Sequence, residues 1–141
     1  MTEKNNQPCR IELPAELQSL PRFIEKIVEY LGKSGMGEHK VGAMELALEE
    51  AIVNIVKYSS QTPDSLITVE CSFKNENEFL IKIIDNGPEF DPLLQNAPDI
   101  TAEINNRPVG GLGIFFIKKM TDGVSYTRKD NRNILTITMK K

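Results

Sequence analysis

Apolar residues return at two different periods along this chain, and each change of period marks a new element. Leu20, Phe23, Ile24, Ile27, Val28 and Leu31 recur at helical spacing and leave Arg22, Glu25, Lys26 and Glu29 on the opposite side, which predicts a half-buried helix. Ser19 ahead of Pro21 marks its start, because proline is tolerated in a first helical turn, and Gly32, Gly35 and Gly37 punctuate its end. From Glu38 to about Ser60, the series Val41, Met44, Leu48, Ala51, Ile52, Ile55 and Val56 predicts a central helix, with alanines at 43, 47 and 51 allowing close packing. Strands are predicted at Cys9–Leu13, Leu66–Phe73, Glu78–Ile84, Gly123–Thr127 and Ile134–Met139. Polar connections at Lys74-Asn75-Glu76-Asn77 and Asp130-Asn131-Arg132-Asn133 join the later strands in pairs. A further helix runs over Gly111–Met120. The stretch Asn86–Val109 holds four prolines and little periodicity, and so long a connection inside a small domain reads as a lid.

Strands and helices mix without regular alternation, so the fold class is α+β. The length of 141 residues and 40% hydrophobic content fit one domain over 1–141, with residues 1–8 a flexible N-terminus. Seventeen basic against twenty acidic side chains leave a net charge of −3 with no basic block, so nucleic acid is not the expected partner. Cys9 and Cys71 lie far apart and lack metal-ligand spacing, which fits a reducing compartment. No apolar run approaches a membrane span and the start lacks a signal-peptide core, so a cytoplasmic protein without a membrane partner is expected.

Three short blocks carry polar or glycine residues that folding alone does not demand. Glu50 and Asn54 stand one turn apart on the central helix, with Lys57 a further turn along. Such a carboxylate is able to take a proton from a hydroxyl, and an amide oxygen is a hard ligand suited to Mg²⁺; a solvated helix face is the plain alternative. Asn54 is the less ordinary of the two, lying amid Ala51, Ile52, Val53, Ile55 and Val56. Asp85 ends an apolar strand, with Gly87 two residues on. It is either a turn former or an acceptor for an exocyclic amine such as that of adenine, with glycine allowing a flat ring to approach. Gly110-Gly111-Leu112-Gly113 opens a helix, where free backbone N–H groups suit phosphate or a hinge serves the preceding loop. The longer glycine motif of a Walker loop is absent.

In this order the blocks resemble the N, G1 and G2 boxes of the Bergerat-type ATPases, the superfamily of histidine kinases, gyrase, Hsp90 and MutL. The resemblance is greatest to the small anti-sigma-factor serine/threonine kinases, through Asp85-x-Gly87-x-x-Phe90-Asp91-Pro92 and the run Gly110-Gly111-Leu112-Gly113-Ile114-x-x-Ile117-Lys118-Lys119-Met120-x-Asp122. It implies a two-layer α/β sandwich, a mixed and mostly antiparallel sheet with helices on one face and an ATP lid. It implies Glu50 as general base, Asn54 as Mg²⁺ ligand, Asp85 as acceptor for the adenine amine, Gly87 as an adjoining contact, and Gly111 and Gly113 at the phosphates. Lys57 with Tyr58 is similar to the histidine-kinase form of the first block, in which the lysine nears the phosphates. Two departures stand out. Pro88-Glu89 replaces a more glycine-rich pair, and Ile134-Leu135 replaces a Gly-Thr contact, so Thr136 and Thr138 receive no role. The family activity would be transfer of the γ-phosphoryl group of ATP to a serine or threonine of an anti-anti-sigma (STAS-like) partner, with a sigma factor held by the same protein and a homodimer as the assembly. The alternative is a nucleotide-gated partner-binding switch with little transfer.

Overall fold

Strand alternation decides which side chains of a sheet turn inward, and here it sorts them cleanly. The computed structural model describes residues 7–58, 62–94 and 111–141. The strands are β1 (Cys9–Pro14), β2 (Leu66–Asn75), β3 (Glu78–Asp85), β4 (Gly123–Lys129) and β5 (Arg132–Lys140); the helices are α1 (Leu20–Lys33), α2 (Glu38–Tyr58) and α3 (Gly111–Met120). The sheet order is β1-β2-β3-β5-β4. The sheet expected to be mixed is antiparallel at every described pairing.

Cross-strand register builds inward rows, each one residue from every strand. Cys9, Cys71, Ile81, Ile137 and Val124 form one row; Ile11, Val69, Ile83, Leu135 and Tyr126 form the next. The row after that is Leu13, Ile67, Asp85, Asn133 and Arg128. Apolar toward β1, it turns polar toward β4, so one corner of the inner face is chemically unlike the rest. The outer face carries Arg10, Glu12 and Glu70, with Arg10 paired to both acids and Thr68 Oγ1 donating to Glu12 Oε2.

The helices cover the inner face. Phe23, Ile27 and Leu31 of α1 are fully buried, each contributing about 1.5–3 kcal/mol of transfer free energy. On α2, Met44, Ala47, Leu48, Ala51, Ile52 and Ile55 are buried at helical spacing, and Asn54 is buried among them. Pro21 sits in the first turn of α1 as expected, and Ser19 occupies the cap position without a side-chain capping bond. Ser34 Oγ closes the far end by donating to Leu31 O at 2.6 Å, and Gly35 takes φ 82°.

Boundaries moved in one consequential place. The hairpin between β4 and β5 turns on Asp130 and Asn131, at φ 52° and 61°, the left-handed pair of a two-residue turn. Asn133, expected in that turn, is instead a buried residue of β5. Residues 1–6, the end of the central helix near Ser60, and most of the expected lid, 95–110 with Gly110, lie outside the described residues.

Candidate functional site

At the polar corner, α2, β3, β5 and the start of α3 line a narrow slot. Its walls are apolar, from Ala51, Ile55, Ile83, Ile114 and Leu135, and Phe90 and Pro92 come in from the segment after β3. Asn54, Asp85 and Asn133 supply most of the polarity. A narrow apolar slot with a few fixed polar groups is the form of site that takes a flat ring.

Asp85 continues the inward phase of Phe79, Ile81 and Ile83, which places its carboxylate in the slot rather than in solvent. Its Oδ1 accepts the Gly87 N–H at 2.9 Å and Asn133 Nδ2–H at 3.0 Å. Asp85 thus closes a side-chain turn over Gly87, the first of the two readings left open by sequence, and its carboxylate stands at the slot. Asn86 helps fix it, since its Oδ1 accepts the Leu66 N–H at 3.0 Å.

Asn54 is 3% exposed, and its Nδ2 has no hydrogen-bond partner among the described residues. A buried, unpaired amide costs about 1–3 kcal/mol. An unpaired N–H donor at the pocket wall is what a bound acceptor, such as a phosphate or base oxygen, would account for, while the oxygen of the same amide is the atom suited to a hard cation.

Glu50 lies one turn before Asn54, half-buried, against the start of α3. Burial, and behind it the charge of Glu49, push its carboxyl above the usual range. A β-carbon on Gly113 would lie 2.7 Å from Glu50 Oε2, so glycine is what lets α3 approach the carboxylate. Glu49 is exposed and separate. Gly111 is the first residue of α3.

Lys57 is the outlying member of the set. It is exposed, with Nζ 5.5 Å from the Tyr58 ring centroid. Tyr58 stacks on Phe90, with centroids 5.2 Å apart and 19° between planes, so the tyrosine joins α2 to the segment after β3.

Sequence reasoning overlooked Asn133. Its Nδ2 also donates to Pro88 O at 2.8 Å, while its Oδ1 accepts from Phe90 N, Tyr126 OH and Arg128 Nη1 at 3.1, 2.5 and 3.1 Å. Arg128 Nη1 further donates to Gly87 O at 2.8 Å. The signal that finds Asn133 is its phase: it alternates with Leu135, Ile137 and Met139 on the buried face.

An antiparallel sheet backed by helices, with an acid and an amide on one helix, an acid at a central strand end and a glycine at the next helix start, defines the Bergerat class of nucleotide-binding domains. The chain belongs to the histidine kinase-like ATPase domain family, whose model matches residues 13–139. This bears out its resemblance to the anti-sigma serine/threonine kinase branch and carries ATP binding with it. Serine/threonine-protein kinase BtrW of Bordetella bronchiseptica is 28% identical over 96 residues, 67% of each chain. Serine-protein kinase RsbW of Listeria monocytogenes is 29% identical over 121 residues, 81% of this chain and 75% of the relative. Among solved structures, the RsbU and RsbW domains of a Mycobacterium tuberculosis protein superpose with TM-score 0.69 at 15% identity, covering 94% of this chain. This chain spans 32% of that longer one. The mycobacterial sensor histidine kinase MprB gives TM-score 0.54 at 13% identity, covering 92% of this chain and 97% of the other. Both share the fold. Among the described residues, no helix is long and apolar enough to cross a membrane.

Proposed function

We propose that residues 1–141 act as one cytoplasmic ATP-binding domain that transfers the γ-phosphoryl group of ATP to a serine or threonine of a small anti-anti-sigma (STAS-like) partner, and that a sigma factor is its second protein ligand. The observation that carries this reading is the buried amide of Asn54, whose Nδ2 has no partner among the described residues, one turn from the half-buried carboxylate of Glu50 and across the same slot from Asp85.

In this reading Asp85 accepts the exocyclic amine of adenine, and Gly87 leaves space beside the ring. Apolar residues of α2, β3 and β5 sandwich the base and exclude water. Asn54 Oδ1 would hold Mg²⁺, which would neutralise charge on the phosphates. Gly111 and Gly113 present backbone at the helix start toward the same phosphates, and Lys57 adds a cation at the rim. Glu50 takes the proton of the acceptor hydroxyl; its raised affinity for that proton favours the task near neutral pH.

The test incubates the purified chain with labelled ATP, Mg²⁺ and a STAS-like partner. Phosphoserine or phosphothreonine on the partner, absent with Glu50→Gln, is the expected result. Tight ATP binding with an unlabelled partner would replace the kinase by a nucleotide-gated switch.

A further inference from the structure

Asn133 holds a position that no other side chain of its size would fill. One amide meets five partners: its nitrogen faces two acceptors, Asp85 Oδ1 and Pro88 O, and its oxygen faces three donors, Phe90 N, Tyr126 OH and Arg128 Nη1. The arrangement fixes which end is which, since reversing the amide would set an oxygen against a carboxylate and a carbonyl. The residue is 4% exposed and lines the same slot as Asp85 and Phe90.

We propose that Asn133 is the positioning residue that sets the base preference of this site, by locking the Asp85 carboxylate and the 87–90 segment into one acceptor geometry that admits an exocyclic amine and refuses a ring carbonyl. The inference rests on the ATP reading and goes beyond it, because Asn133 belongs to none of the three motif blocks. A carboxylate presents lone pairs and no proton, so it pairs with the amine of adenine and repels the carbonyl of guanine. That discrimination holds only while the carboxylate is held at a fixed angle. Gly87 N–H and Asn133 Nδ2–H do this from two sides. The same amide holds Pro88 O and Phe90 N, which fixes the backbone that carries Phe90 into the slot, and Arg128 ties Gly87 O to the frame.

Asn133→Asp is the sharpest probe. It preserves an oxygen for Phe90 N, Tyr126 and Arg128 and replaces only the nitrogen, setting a carboxylate oxygen against Asp85 and Pro88 O. The titratable and charged groups around that point are Asp85 of β3, Glu89 and Asp91 of the segment after it, and Tyr126 and Arg128 of β4; α2 lines the slot with the uncharged Asn54. Two carboxylates at this distance share one proton at lower pH and repel at higher pH.

Binding of Mg-ATP and Mg-GTP to the parent and to Asn133→Asp is measured by calorimetry from about pH 6 to about pH 8, with melting followed in parallel. The parent is expected to prefer ATP with a flat profile. The variant should lose about tenfold in ATP affinity at the upper pH, recover much of it at the lower, and show a smaller ATP-to-GTP ratio. A merely structural role would lower melting and leave the ratio and profile unchanged, and that result overturns the proposal. If Asn133→Asp does not fold, Arg128→Ala at its half-buried edge-strand position takes its place. It should weaken ATP several-fold and narrow the ratio, and parent-like binding would overturn the proposal. A parent that binds ATP and GTP equally defeats the base-preference role and leaves the ATP reading standing; a parent that binds neither defeats both.

Discussion

Glu50 and Gly113 touch across two helices: a β-carbon on Gly113 would stand 2.7 Å from Glu50 Oε2 and 3.3 Å from Glu50 Cβ. The carboxylate end is free to swing, but the Cβ moves only with α2. Gly113→Ala gains about 1 kcal/mol of helix propensity, so the fold should survive. The displaced carboxylate is expected to cut phosphoryl transfer by about a hundredfold. Transfer at the parent rate would show that this contact does not place the base.

Glu50→Gln separates binding from transfer. A carboxyl held above its ordinary pKa by burial and by Glu49 stabilises the native state most below its unfolded pKa, and that contribution is lost as pH rises through the folded value. The glutamine variant, neutral throughout, should therefore gain stability over the parent as pH rises from acid toward neutral. It should bind ATP like the parent and lose transfer by about 10²–10⁴-fold. Denaturation curves across pH check the first expectation, and single-turnover rates check the second.

Asp85→Asn keeps the shape and replaces one acceptor oxygen by a donor. With Gly87 N–H and Asn133 Nδ2–H both directed at Oδ1, the substituted amide must turn its nitrogen to the other side, where the base amine belongs. ATP affinity should fall by about a hundredfold or more with melting little changed. Parent-like affinity by calorimetry would remove Asp85 from the site.

Tyr30 offers a test away from the pocket. Its ring lies 6.1 Å from Phe73 and 6.2 Å from Phe79 between centroids, while its hydroxyl is buried with no partner among the described residues. Burial, with Cys71 and Cys9 behind it, pushes the phenol up to about 12. Tyr30→Phe should raise stability by about 1 kcal/mol in urea denaturation at neutral pH. The sign at alkaline pH follows from the raised value: the phenol's contribution is intact below its unfolded pKa and is lost as pH climbs through the folded one, so the gap between phenylalanine variant and parent widens there.

Periodicity made most of this fold legible. The apolar phase of α1 and α2 and the alternation of β3 and β5 are local signals, and the same alternation, carried one residue past the expected strand end, puts Asp85 on the buried face. Three things escaped because they depend on other criteria. Asn133 follows Asp130-Asn131-Arg132, a run of turn formers, and turn chemistry outweighed its phase with Leu135 and Ile137. Cys9 and Cys71, remote in sequence, are direct cross-strand neighbours, both buried free thiols, because register is a tertiary property. The outward place of Lys57 was equally hidden, since helical spacing says which residues share a face but not where the pocket wall ends.

The sheet order carries one more consequence, for the order of events in biosynthesis. β5 is last in sequence but lies between β3 and β4, and β4 has no other neighbour in the sheet. A nascent chain that has emerged only as far as β4 has a β3 edge without its partner and an Asp85 without Asn133. On the proposed function, nucleotide would have no complete base site until β5 leaves the ribosome and inserts. ATP would then stabilise the folded domain and give no help to the partly made one, which must shield the exposed β3 edge by other means.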